Sequence, residues 1–558
     1  LKKYSIGLDF GTNSVRALVV DISNGEELSN YVFNYEKGDN GVILDRNNPL
    51  VARQHPIDYL KGLEVSIIGA LEQADKVKGF KRSDVIGIGI DTTGSTPLPV
   101  DEKGIPLALR KEFKNNINAL AWLWKDHSSY KEAQEITELA KKRGEPYLNK
   151  CGGVYSSEWF FSKILHCLRI DSKVFNSAYS WVELADFIPA VLTGKQNPIE
   201  IKRSICAAGH KAMFNPKWGG LPSKEFLKHL DKRLVQLRDR LYEKAYTSDI
   251  KAGNLSNIYA KKFGLSEDVV VSVGAFDAHM GAVGAGIKPN TLVKIIGTST
   301  CDMMVVPNSE KLADIPGLCG VVDGSIIPGY FGLEAGQSAV GDIFNWFTRF
   351  SSMSHEILTK KAAELKPGET GLLALDWNNG NRTVLVDAEL SGLLIGQTLH
   401  TRPEEVYRTL IEATAFGARV IIDRFEEYGV KVKEIINCGG IAEKNPLLMQ
   451  IYADVLNKPM KVSKSSQTCA LGAAIFGAVA AGKGKGGFDK VEDAQRVICK
   501  LKNTVYKPNL KNNKIYEKIF KLYKELHDVF GTKNYKKNLY HVMKELIKIK
   551  NEAINNKK

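Results

Sequence analysis

Two stretches of this chain share one pattern: an apolar β run, a polar glycine turn and a second β run. No other feature limits the fold as strongly. The first comprises Tyr4–Phe10, the turn Gly11–Ser14 and Val15–Asp21. The second comprises Thr291–Ile296, the turn Gly297-Thr298-Ser299-Thr300 and Cys301–Val306. Runs rich in Val, Ile, Leu and Ala that are bounded by turn residues read as strands. Two halves that open alike predict a duplicated α/β unit. At 558 residues the chain also exceeds one ordinary core.

The remaining elements fit that plan. Ser23-Asn24-Gly25 supplies a turn before a third strand, Leu28–Tyr35. Pro56 opens a helix whose Leu60, Leu63, Ile67 and Leu71 recur on one face. Val85–Ile90 and Val269–Gly274 read as buried strands, the first ending at Asp91-Thr92-Thr93-Gly94. Between Glu102 and Asp249 the chain is helix-rich, and Trp122, Trp124, Trp159, Phe160, Phe161 and Trp181 are expected to fill a core. In the second half, Glu404–Tyr428, Asn445–Leu456 and Ala470–Ala481 read as helices, and Ile435–Cys438 as a strand. The string Gly477–Gly484 nearly spells a P-loop, but glycine replaces the final hydroxyl residue and no strand precedes it. It reads as a helix end.

Several function classes drop out. The longest nearly uncharged apolar stretch, Cys469–Gly482, is too short to span a bilayer, and no signal peptide is legible. Eight cysteines contain no C-x-x-C pair, which argues against zinc and thioredoxin-like chemistry. These features predict a soluble cytoplasmic protein that engages no membrane. The net charge of +14 raises nucleic acid as a partner. Most of that surplus lies from Lys500 to Lys558, where sixteen lysines face five acids. A solvated basic helix is the expectation there, with no nucleic-acid role.

Four constellations could carry chemistry. In Gly7-Leu8-Asp9-Phe10-Gly11-Thr12-Asn13-Ser14 a carboxylate ends a strand before a turn of backbone N–H groups. Such a turn suits phosphate oxygens, and Asp9 could hold hydrated Mg²⁺; an ordinary hairpin is the competing reading. Gly297, Thr298 and Ser299 repeat the logic, and two such turns could clamp a triphosphate. Asn437-Cys438-Gly439-Gly440 leaves a flat surface on which a nucleoside could lie, although helix packing also uses paired glycines. Asp277, in Gly274-Ala-Phe-Asp-Ala-His-Met-Gly281, could accept the proton of an attacking hydroxyl, or it could cap a helix.

Taken in order, GLDFGTNSVRALVVD, GIDTTGSTP, WLWKDH, YSSEWF, AAGHKAMF, GAFDAHMGAVGAG, IGTSTCD, GLEAGQSAVGD, ATAFGAR, GGIAEKN and CALGAAIF resemble the FGGY carbohydrate kinases. The resemblance runs from about Tyr4 to the helix near Phe530. It implies an actin-like ATPase fold of α/β class: two ribonuclease H-like domains, each with a mixed five-stranded sheet, around a cleft. The implied bounds are 1–280 and 281–530, with 531–558 a basic helical tail. It implies ATP and Mg²⁺, with Asp9 near the metal, Gly11, Thr12, Asn13, Ser14, Gly297, Thr298 and Ser299 at the phosphates, and Gly439, Gly440 and Asn445 at adenosine. Asp277 becomes the general base, and Ser95, Thr96, Lys211, Asp277 and Glu334 line the sugar. The implied acceptor is a ketopentose, L-ribulose foremost, with xylulose, D-ribulose or a pentitol as alternatives, and the implied state is a homodimer. An ATPase of the same fold that uses water instead of sugar is the rival from another class.

Overall fold

A computed structural model of the chain describes residues 2–533, 535, 536, 539 and 541–555. The first half contains strands β1 (Tyr4–Phe10), β2 (Ser14–Asp21), β3 (Glu26–Asn34), β4 (Val85–Thr92), β5 (Lys251–Asn254), β6 (Val270–Ser272) and β7 (Ala275–Phe276). They form one sheet in the order β5-β6-β4-β1-β2-β3, with β7 also paired to β4. The second half contains β8 (Thr291–Ile296), β9 (Thr300–Pro307), β10 (Gly320–Asp323), β11 (Tyr330–Ala335), β12 (Glu434–Cys438), β13 (Met460–Ser463) and β14 (Leu501–Tyr506). Their order is β10-β11-β9-β8-β12-β13-β14.

Both sheets share a mixed five-strand centre. In β3-β2-β1-β4-β6 the first two pairings are antiparallel and the next two parallel, and β11-β9-β8-β12-β13 repeats this. The five-stranded expectation describes this centre. Each sheet then gains two strands, giving seven. The additions escape sequence reading because they are short or lie at an edge: β5 has four residues, β7 has two, and β10 and β14 are edge strands.

The two halves exchange helices. The helix Thr468–Ala481 follows β13 in the chain yet packs on β1 and β4 of the first sheet, while the helix Asp277–Gly284 reaches β8 and β9 of the second as well as β4 and β7 of the first. The two helices also pack on each other. A shared core results, in which Leu18 and Ile86 join Val293, Met303 and Ile436 around Leu471, Ile475 and Phe476. Close approach is possible because glycines stand at the contact. A Cβ at Gly7, Gly87 or Gly89 would overlap the carbonyl oxygens of Ala470, Gly477 and Ala473 respectively. The spacing of Gly87 and Gly89 puts both on one face of β4. Gly89→Val should therefore cost about 3 kcal/mol of stability through overpacking. Gly484→Ala, which meets nothing within 4 Å, is the matched control, and a thermal melt of each variant checks the difference.

The aromatic residues of the helix-rich interval fill a core as expected. Trp122, Trp159, Phe160, Phe161 and Trp181 are buried together; Trp124 is partly exposed. The helix Thr468–Ala481 ends at the P-loop-like string and runs into a short turn, Lys483–Lys485, as expected. The basic tail differs from expectation. The helix Leu510–Gly531 buries Tyr516, Phe520 and Tyr523, and Val542–Asn555 adds Val542, Leu546 and Ile549 to the same core. Lys511, Lys514, Lys518, Lys521 and Lys524 occupy the outer face of a docked helix, so the surplus of charge concealed an amphipathic pattern. Positions 534, 537, 538, 540 and 556–558 lie outside the described residues. Among the described residues no helix is long and apolar enough to cross a membrane. All eight cysteines are free.

Candidate active site

Three carboxylates come together where the two exchanged helices begin. Asp9 and Asp91 are direct register partners on the parallel strands β1 and β4. Asp277 follows β7 immediately and opens its helix, so it serves as that helix's first residue. Its Oδ1 accepts from the Ala278 N–H at 2.7 Å. Burial first, then Asp9, pushes the Asp277 carboxyl up to about 7. Asp91 is fully buried, and burial followed by the charges of Asp9 and Asp277 raises it well above the usual range. Asp9 is raised by burial, with Arg16, 3.5 Å away, opposing the shift. Three acids crowded into a low-dielectric pocket must hold protons or share a cation.

Beside them a charged pair bridges the halves. Lys211 ends the helix Ile205–Lys211, and its Nζ donates to Glu334 of β11 at 3.1 and 3.2 Å. Burial alone would lower Lys211, but Glu334 more than reverses this. Burial would raise Glu334, but the Lys211 ammonium holds it far below the usual range. Burial lowers His279 to about 4 and His210 well below the usual imidazole range, so both rings are neutral near pH 7 and Lys211 supplies the balancing charge. The Lys211 ammonium also lies over the rings of Trp159 and Phe276, at 5.3 and 5.9 Å. The Tyr155 hydroxyl donates to the Lys211 carbonyl at 2.6 Å, fixing the end of that helix.

Ser95 and Thr96 are placed differently from the other expected sugar contacts. Both side chains are fully buried. The Ser95 hydroxyl donates to Glu183, and the Thr96 N–H donates to the same carboxylate at 2.8 Å. Lys163 Nζ donates to the Ser95 and Leu123 carbonyls, each at 2.8 Å. The hydroxyls expected at the sugar are thus engaged in holding the loop. Sequence spacing could not reveal this, because Glu183 and Lys163 arrive from distant helices and strands.

Residues 11–14 of the first glycine turn and 297–299 of the second stand partly or wholly exposed, while Thr300 is buried. In the first, Gly11 N–H donates to the Ser14 carbonyl at 2.9 Å. Gln54 Nε2 donates to the Thr12 carbonyl at 2.7 Å, Trp124 Nε1 to Thr12 Oγ1 at 3.0 Å, and Asn13 Nδ2 to the Asn40 carbonyl at 2.6 Å. In the second, the Val340 and Asp342 N–H groups donate to the Thr298 carbonyl at 2.8 and 3.1 Å. Beneath it Lys294 and Asp302 form a buried cross-strand pair at 2.9 Å. Gly439 takes φ +98°, and a Cβ there would overlap the Ile296 carbonyl, so it lies against the second turn. Gly440 faces open space, and Asn445 Oδ1 caps the following helix by accepting from Leu448 N–H at 3.0 Å.

Sequence reasoning singled out neither Asp91 nor Arg382. A carboxylate inside the apolar run VIGIGIDT was the available signal for Asp91. Arg382 carried none; it comes from a loop and lies within electrostatic reach of Glu158 and Glu334, which raise it against the effect of burial.

Comparison with known proteins covers both halves of the chain. Residues 4–284 match the N-terminal domain and residues 292–481 the C-terminal domain of the FGGY family of carbohydrate kinases. A ribulokinase of Halalkalibacterium halodurans is 44% identical over 548 residues, covering 95% of each chain. A ribulokinase of Geobacillus thermodenitrificans is likewise 44% identical, over 549 residues and 95% of each chain. Among solved structures, a xylulose kinase from Rhodospirillum rubrum superposes with a TM-score of 0.77 at 19% identity, over 94% of this chain and 99% of that one. That likeness concerns the fold, which is the actin-like ATPase type. Both halves match in order and the curated relatives align nearly end to end, so this chain belongs to the FGGY family of carbohydrate kinases.

Proposed function

We propose that the chain transfers the γ-phosphoryl group of ATP to the 5-hydroxyl of L-ribulose, giving L-ribulose 5-phosphate and ADP. The observation that carries this reading is the Asp277 carboxyl, raised to about 7 and within electrostatic reach of both Asp9 and the Lys211–Glu334 pair. A base of that strength is matched to neutral pH. Asp277 takes the proton of the 5-hydroxyl while that oxygen attacks the γ-phosphorus, and the bond to the β-phosphate oxygen breaks. Lys211 and Glu334 hydrogen-bond the sugar hydroxyls and orient the chain; the loop of Ser95 and Thr96, braced by Glu183 and Lys163, borders it.

The turns of Gly11, Thr12, Asn13 and Ser14 and of Gly297, Thr298 and Ser299 supply N–H groups to the phosphates. Gly439, Gly440 and Asn445 border adenosine. Magnesium fits the carboxylate cluster, since neither Asp91 oxygen has a hydrogen-bond partner of ordinary geometry and hard cations take oxygen ligands. Asp9, through water, and Asp91 would hold it, and when bound it neutralises phosphate charge. In this reading residues 1–280 and 281–530 are the two domains, and the enzyme acts in the cytoplasm as a homodimer.

Ribulose is favoured over xylulose because the relatives at 44% identity are ribulokinases, while the xylulose kinase likeness concerns fold at 19%. A coupled ADP-release assay across L-ribulose, D-ribulose, xylulose and ribitol should give L-ribulose the highest kcat/KM. A higher value for xylulose would reassign the substrate, and ATP hydrolysis indifferent to every sugar would remove the kinase reading.

A further inference from the structure

Behind the Lys211–Glu334 pair lie two histidines that phosphoryl transfer leaves unused. His210 precedes Lys211 on its helix, and His279 occupies the first turn of Asp277–Gly284. With Glu334 they form a buried trio whose potential ligand atoms all lie within 4.8 Å of one another. The two rings are 4.5 Å apart. His210 Nδ1 is 3.3 Å from Glu334 Oε2, and His279 Nε2 is 3.8 Å from the same oxygen. His210 Nδ1 and both nitrogens of His279 have no hydrogen-bond partner.

The proton positions can be worked out from the neighbours. The Ser325 hydroxyl lies 3.2 Å from the Val322 carbonyl and 3.0 Å from His210 Nε2. When it donates to the carbonyl it accepts from His210 Nε2–H, and in that tautomer the Nδ1 lone pair faces a carboxylate oxygen. Two lone pairs at that distance repel, and a cation between them removes the repulsion. Metal-binding histidines are commonly held this way, one nitrogen free for the metal and the other N–H tied to an outer oxygen.

We propose that His210 Nδ1, His279 Nε2 and Glu334 bind one divalent cation of zinc class, and that this cation competes with Lys211 for the Glu334 carboxylate. Two imidazoles and one carboxylate suit Zn²⁺ or Co²⁺, whereas Mg²⁺ prefers oxygen ligands and water. The cation site stands without the sugar assignment. Only its consequence for catalysis, inhibition by withdrawal of Glu334 from the ketose, rests on the function proposed above.

The test uses tag-free, full-length protein titrated with Co²⁺ and followed by its visible absorption, with Zn²⁺ displacement measured by calorimetry. One Co²⁺ should bind per chain, insensitive to excess Mg²⁺. His279→Gln and Glu334→Gln should each weaken binding about tenfold or more, while Lys211→Met, which removes the competitor, should tighten it. Absence of saturable Co²⁺ binding in the wild type overturns the proposal. So does unchanged affinity in a His279→Gln variant that melts like wild type, or loosened binding in a folded Lys211→Met variant. If Co²⁺ binds as described but L-ribulose fails to loosen it, the sugar placement is wrong and the metal site stands.

Discussion

Asp277→Asn should lower kcat by about 10²- to 10⁴-fold, the range a positioned general base contributes, while ATP binding persists. The asparagine has nearly the same shape and can still accept from the Ala278 N–H, so lost turnover would report the lost base and not a collapsed helix. The same variant should be more stable than the wild type. In divalent-free buffer the wild-type carboxyl must ionise against burial and against Asp9, which raises it from 3.8 to about 7. Between those values the folded state binds more protons than the unfolded state, so stability falls as pH rises. The forgone stability is on the order of 2–4 kcal/mol above pH 7 and vanishes near pH 4. Melting curves across that range should show the variant's advantage open as pH rises. Near-normal turnover, or a variant less stable at pH 8, would remove Asp277 from the proposed role.

Lys211→Met should destabilise the protein by about 3–5 kcal/mol, because it strands the buried Glu334 carboxylate between neutral imidazoles. Since the pair joins strand β11 to a helix of the other half, denaturant unfolding should also become less cooperative. Glu334 then rises from its depressed range, so the deficit should shrink as pH falls and the carboxyl takes a proton. Adding Glu334→Leu should restore most of the stability, since a matched apolar pair replaces a broken ionic one. Phosphorylation should not return in the double variant. Recovery of activity together with stability would show that these side chains only hold the halves together.

The hairpins were legible because their signal is local: apolar runs with the strand period, interrupted by glycine. The placement of Asp277, between a buried strand and a helix of small residues, was legible for a similar reason. Asp91 was not, because its importance lies in its register partner. Nothing in VIGIGIDT says that the adjacent strand will place Asp9 beside it. The inward turn of Ser95 depends on Glu183, 88 residues away. Lys211 and Glu334 are separated by 123 residues, and only the family resemblance put them on one list. The tail was misread through charge: lysines dominate its composition, while every third or fourth residue of Leu510–Gly531 is apolar and buried.

The exchange of helices between the halves also dictates a timetable for synthesis. The glycine-lined face of the first sheet has little cover of its own. Its lid is the segment Thr468–Ala481, made nearly four hundred residues after Gly89. At about 5–20 residues per second, the ribosome delivers that lid roughly 20–80 s later. Throughout that interval a nascent first half must carry an open apolar furrow, and a holding chaperone that grips such furrows has its opportunity then.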